Sequence, residues 1–134
     1  MDFVSFEIAK KLKEKGFKEQ CLAYYTNTND LYFNYSHKAG AKYSDCYLSH
    51  NLMPKDSVSG KFFDAPTISQ VLKWLRKEKK VHIGFGYSPR KKWRYVVMYM
   101  DDRFYNKPTL AVDGFLNIEQ AALVGIEYVI DNLI

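Results

Sequence analysis

Arg90-Lys91-Lys92-Trp93-Arg94 is the densest run in the chain of side chains suited to binding chemistry. Cations at this spacing, with an aromatic ring beside them, suit a nucleic acid: the cations neutralise backbone phosphates and the ring stacks on a base. Lys73, Lys77 and Lys80 supply a second basic set upstream. Lys73, Lys77, Lys80, Arg90, Lys91, Lys92, Trp93 and Arg94 together make up the candidate nucleic-acid-binding residues. The competing explanation is a charged hairpin end that resists edge pairing and aids solubility.

Other chemically capable residues are sparse. Cys46 and His50 stand four apart with His37 upstream, but zinc takes four ligands in tighter pairs, and there is no second Cys/His pair. Gly84-Phe85-Gly86 falls inside an alternating strand with no helix after it, whereas phosphate-binding glycine loops open a helix. Glycines in that setting leave room for a crossing helix or for large cross-strand side chains. His82 shares their face and reads as structural, and Asp101-Asp102 reads as a solvated turn. Spacing assigns no Ser/His/Asp or Cys/His arrangement. No catalytic, cofactor or metal residue is predicted, and the expectation is a non-enzymatic protein.

Charge is unevenly distributed. Residues 1–65 hold nine Lys/Arg against eight Asp/Glu, residues 66–107 hold eleven against three, and residues 108–134 hold four acids and no Lys or Arg. The middle of the chain is therefore the part that would attract phosphate or an acidic partner.

The elements that must position these residues can be read from periodicity and caps. Ser5 caps a first helix running to about Lys15 and stopped by Gly16, with Val4, Ile8, Ala9 and Leu12 on its apolar stripe. Cys21–Tyr25 and Leu31–Tyr35 are β-prone runs joined by Thr26-Asn27-Thr28-Asn29-Asp30, a hairpin. Residues 36–64 form an irregular excursion with at most a short strand near Tyr43–Leu48. Thr67 and Gln70 make a capping box for a second helix in Ala65–Lys80, whose apolar stripe is Ile68, Val71, Leu72 and Leu75, with Trp74 at its edge.

Val81–Tyr87 alternates as a strand, Ser88–Lys92 turns, and Trp93–Met100 returns. Pairing Tyr87 with Trp93 sets Phe85 opposite Tyr95 and Ile83 opposite Val97 on one apolar face. His82, Gly84, Gly86, Arg94, Val96 and Met98 then occupy the other. Thr109–Val112 adds a third strand before an Asp113-Gly114 turn. Asn117 caps a last helix, Ile118–Asn132, with a broad apolar face on which Gly125 permits close approach to the sheet.

At 134 residues the chain has the length of one domain, and 47% of it is apolar, enough for a core without disulfide staples. Two cysteines and no run near the roughly 20 apolar residues of a membrane span predict reduced thiols and a cytoplasmic protein with no membrane partner. The expected fold is α+β in a single domain, 1–134, with 65–134 as its best-defined core. Helices pack on one face of an antiparallel sheet, in the order α-β-β-loop-α-β-β-(β)-α. An exposed Trp74 or a bare aromatic sheet face would favour a homodimer.

Two resemblances bear on function. The helix–strands–helix order is similar to that of the double-stranded RNA-binding domain. That family contacts phosphate with a basic segment at the start of its last helix, where this chain has Asn117-Ile118-Glu119-Gln120, so none of its residues carries over. Ala65–Arg76, Val81-His82-Ile83, Glu119–Ala122 and Gly125-Ile126-Glu127 resemble a family of small uncharacterised proteins of phages and prophages of gut Bacteroides-type bacteria. The match spans Ala65–Ile134 and, more loosely, Val4–Gly16. It implies a mobile-element setting and no activity. The combined expectation is an accessory protein that binds a macromolecular partner, protein or nucleic acid.

Overall fold

A computed structural model describes residues 2–33, 62–100 and 110–134. The chain is α+β; the described residues form three α-helices and two antiparallel three-stranded sheets where the sequence predicts one sheet. Its contacts divide it into two compact units, 3–67 and 68–134.

The first unit begins with α1 (Phe6–Glu14), capped as expected by the Ser5 hydroxyl, which accepts from the Ile8 N–H at 3.3 Å. Gly16 ends it at φ +88°, a left-handed position that glycine adopts without steric penalty. Val4, Ile8, Ala9 and Leu12 are all buried. The strands are β1 (Ala23–Tyr25), β2 (Leu31–Phe33) and β3 (Phe63–Ala65), in the order β2-β1-β3. β3 lies at the end of the stretch expected to be irregular. Its alternation is too short to register, yet it pairs with β1 through Ala23 opposite Ala65 and Tyr25 opposite Phe63. Aromatic edges fill this unit: Phe6 meets Tyr25 and Phe63 at 5.6 and 5.7 Å between ring centroids, and the Tyr25 hydroxyl donates to the Val4 carbonyl at 2.6 Å. Two lysines of α1 lie on these rings, Lys10 over Phe6 and Lys13 over Phe63, each 5.1 Å from the centroid. They are thus more than a solvated face. The strand expected near Tyr43–Leu48 lies outside the described residues.

The second unit runs α2 (Ile68–Trp74), a π-helical turn (Leu75–Lys79), β4 (Val81–Tyr87), β5 (Trp93–Tyr99), β6 (Leu110–Phe115) and α3 (Ile118–Asn132). The periodicity of 65–80 predicts one continuous helix, whereas the last turn is wider. The Lys80 N–H donates to the Leu75 carbonyl five residues back, and Lys80 itself sits at φ 57°. Val71, Trp74 and Leu75 are buried; the buried Trp74, with Lys79 over its ring at 5.5 Å, is not the exposed residue that would favour a dimer.

The sheet order is β4-β5-β6, with β6 outermost among the described strands. The β4–β5 register is the one predicted: Tyr87 opposite Trp93, Phe85 opposite Tyr95 and Ile83 opposite Val97. β6 departs from expectation. It continues through Asp113 and Gly114 instead of turning there, because a bulge absorbs Gly114 at φ +107° and lets Phe115 pair with Trp93. α3 is capped by Asn117, whose side chain accepts from the Gln120 N–H at 2.8 Å. The Gln120 side chain reciprocates toward the Leu116 N–H at 3.0 Å. Ala121, Ala122, Gly125, Ile126, Val129 and Ile130 are buried, and the face of the sheet that carries Ile83 and Tyr95 receives them.

Candidate nucleic-acid interface

The candidate residues fall into two places. Arg90, Lys91 and Lys92 form the turn of the β4–β5 hairpin, with Arg90 and Lys91 exposed and Lys92 half-buried. Two backbone bonds shape this turn. The Lys91 N–H donates to the Ser88 carbonyl at 3.0 Å, and the Ser88 N–H donates to the Lys92 carbonyl at 2.8 Å. Lys91 is left-handed, φ 59°. Ser88 is buried, and its hydroxyl has no hydrogen-bond partner among the described residues.

Alternation of the strand side chains then sorts the residues after the turn. Trp93 shares the α3-facing side of the sheet with Tyr87, its register partner. The two rings meet edge to face at 5.3 Å, and Tyr87 is 58% exposed. Phe115 continues the row on β6. Beyond it lies Leu116, which is 73% exposed. Tyr87, Phe115 and Leu116 are the members of this surface that the basic run by itself does not reveal. The signal for Tyr87 is its register with Trp93; the signal for Phe115 is hidden by the bulge.

Arg94 points to the opposite face. A β-carbon at Gly86 would stand 2.9 Å from the Arg94 Nε, and one at Gly84 would stand 3.2 Å from the Met98 Cε. Gly84 and Gly86 therefore clear space for large cross-strand side chains, the second of the two alternatives the sequence leaves open, and Arg94 lies flat across the strand. Its neighbour on β6 is Asp113, an acid that lowers the local potential a phosphate would meet. His82 shares this face opposite Met98, with Nδ1 buried and unpartnered among the described residues.

Lys73, Lys77 and Lys80 are exposed on α2, in the π-turn and at its end. Lys80 precedes β4 and the basic turn follows it, so the strand's seven residues lie between them. At about 3.3 Å per residue that is roughly 25 Å. Lys80 and the basic turn therefore do not meet one phosphate.

The remaining sequence candidates resolve as follows. Cys46, His50, His37, Asp101 and Asp102 lie outside the described residues. Cys21 is fully buried, its thiol donating to the Glu19 carbonyl at 3.5 Å. Burial, with the Asp64 and Glu19 carboxylates adding to it, pushes its pKa far above that of an ordinary thiol. Such a thiol stays protonated and unreactive. Among the described residues no group of three or more His, Cys, Asp or Glu side chains could hold a metal ion, and no helix is long and apolar enough to cross a membrane.

Comparison of the chain with protein-family models, with curated proteins and with solved structures yields no match.

Proposed function

We propose that the protein is a non-enzymatic, cytoplasmic accessory protein that binds a macromolecular partner, and that the partner is nucleic acid engaged at the β4–β5 hairpin tip. One observation carries this reading: the exposed Tyr87 ring, braced by Trp93 at 5.3 Å, stands at the base of a turn that presents Arg90 and Lys91 to solvent. A braced ring offers a base a stacking surface whose rotamer is already restricted, worth about 1–3 kcal/mol per base, while the cations take the adjoining phosphates. Exposed aromatic faces favour a single strand, whose bases are free to stack. The likeness of residues 65–134 to small phage and prophage proteins supports a mobile-element setting.

The test is fluorescence anisotropy with labelled single- and double-stranded DNA and RNA at low salt. Binding that weakens steeply as salt rises, quenches the partly exposed Trp93 and falls in an R90A/K92A variant supports the reading. Absence of binding to every one of these probes at low salt overturns it.

A further inference from the structure

The two hairpins whose turns lie among the described residues, β1–β2 and β4–β5, close with the same backbone turn. In the β1–β2 turn the Asn29 N–H donates to the Thr26 carbonyl at 3.0 Å, and the Thr26 N–H donates to the Asp30 carbonyl at 2.9 Å. In the β4–β5 turn the Lys91 N–H donates to the Ser88 carbonyl at 3.0 Å, and the Ser88 N–H to the Lys92 carbonyl at 2.8 Å. The fourth residue of each is left-handed, Asn29 at φ 67° and Lys91 at φ 59°. Position by position the two backbones make the same bonds, so each turn serves as a control for the other.

The side chains differ throughout. In the first turn the left-handed position holds asparagine, which tolerates that conformation better than most residues. Thr26 Oγ1 accepts from the Asp30 N–H at 3.3 Å and lies 2.9 Å from the Thr28 hydroxyl, which donates to the Asp30 carboxylate at 2.7 Å. That turn satisfies itself. In the second turn the left-handed position holds lysine, whose β-carbon makes the conformation unfavourable. The hydroxyl equivalent to Thr26 Oγ1, on Ser88, is buried and has no partner among the described residues. Within one chain, then, the same turn occurs in a version suited to its backbone and in a version that departs from local preference at two positions. Such departures concentrate where a residue is kept for a ligand and not for the fold.

We infer that Lys91 is a phosphate-contacting residue of the hairpin tip, held in a left-handed conformation at a cost to stability so that its ammonium group meets one backbone phosphate of the bound nucleic acid. This rests on the nucleic-acid reading above and adds to it a single residue and a single ligand group. Lys91 is exposed at the apex of the turn, where a point charge on a flexible stem can follow a phosphate.

The experiment uses the full chain, a labelled oligothymidylate, a salt titration and thermal denaturation. K91G and K91N are expected to raise the melting temperature, weaken binding several-fold at low salt, and reduce the slope of log K against log salt by about 0.7, the value for one lost phosphate contact on a single strand. K91R is expected to keep the wild-type slope with no gain in melting temperature. K92A removes the same charge from a residue outside the left-handed region, and is expected to leave the melting temperature unraised. If wild type binds while K91G and K91N keep its affinity and slope, the inference is overturned and the nucleic-acid reading stands. A fall in melting temperature with normal binding also overturns it, since Lys91 would then serve the fold. If wild type does not bind, the reading beneath it fails first.

Discussion

Gly125 of α3 lies against the ring of Tyr95 on β5: a β-carbon at 125 would stand 3.1 Å from the ring's Cγ and 3.2 Å from its Cδ2. Tyr95 is 2% exposed and has Phe115 beside it at 5.7 Å between ring centroids, while the same β-carbon would stand 3.4 Å from Ile83 Cγ2. The ring has little room to retreat. Alanine at 125 gains about 1 kcal/mol of helix propensity but overpacks a filled core, which costs about 1–3 kcal/mol. G125A is therefore expected to lose about 1 kcal/mol net, seen as a lower denaturation midpoint at unchanged m-value. A stabilised variant would mean that α3 can lift off the sheet.

Lys80 gives the opposite sign. It ends the π-turn in a left-handed conformation with its backbone N–H already bonded to Leu75. Glycine keeps that bond and removes the β-carbon conflict, less the extra freedom it gives the unfolded chain. K80G should raise stability by about 0.5–1 kcal/mol, a few degrees in melting temperature for a chain of this size. Loss of stability would show that the lysine side chain itself holds the turn.

Ser88 is expected to behave similarly for a different reason. A buried hydroxyl without a partner carries a desolvation penalty of about 1–3 kcal/mol. S88A removes the hydroxyl and opens only a small void, so the variant should be more stable than wild type by about 1 kcal/mol in chemical denaturation. The matching change at Thr26, whose hydroxyl bonds the Asp30 N–H, should destabilise.

Cys21 sets a pH limit. Its folded pKa is raised, chiefly by burial, so the stability linked to it is complete below the ordinary thiol value of about 9 and declines as pH rises above it. The unfolded chain then releases a proton that the folded chain retains, and stability falls by about 1.4 kcal/mol per pH unit. Tyr25 and Tyr95, both raised from 10.0 mainly by burial, add to the decline only at higher pH. Denaturation at pH 7, 9 and 10 should show the loss, and C21A should flatten it between 9 and 10. An unchanged slope in C21A would place the titration elsewhere.

Local signals in the sequence specify both helix caps and the β4–β5 hairpin. The Ser5 and Asn117 caps, the glycine stop at 16 and the alternation in 81–99 each rest on contacts within a few residues or across one tight turn, and each is realised. Three features depended on distant partners or on geometry that periodicity does not encode. β3 is three residues long and is a strand only because β1 lies beside it. The π-turn leaves residue types unchanged while widening the helix at Leu75–Lys79. Asp113-Gly114 has turn composition, but β5 captures the residues on both sides of it and makes it a bulge. At the candidate site, the basic run was plain, and so was the pairing of Tyr87 with Trp93. That Arg94 leaves the tip for the other face follows from strand alternation. The distance between Lys80 and the tip follows from the length of β4.

The bulge in β6 also bears on what the protein does at high concentration. An outermost strand with apolar residues invites an identical strand from another molecule to continue the ladder, the first step toward a fibril. Here β6 is outermost among the described strands, and its ladder loses register at Gly114, directly after the charged Asp113. The irregularity that sends Phe115 to Trp93 thus also makes the edge a poor template for fibril growth, leaving the strand ordered within its own sheet and unsuited to extension by a second chain.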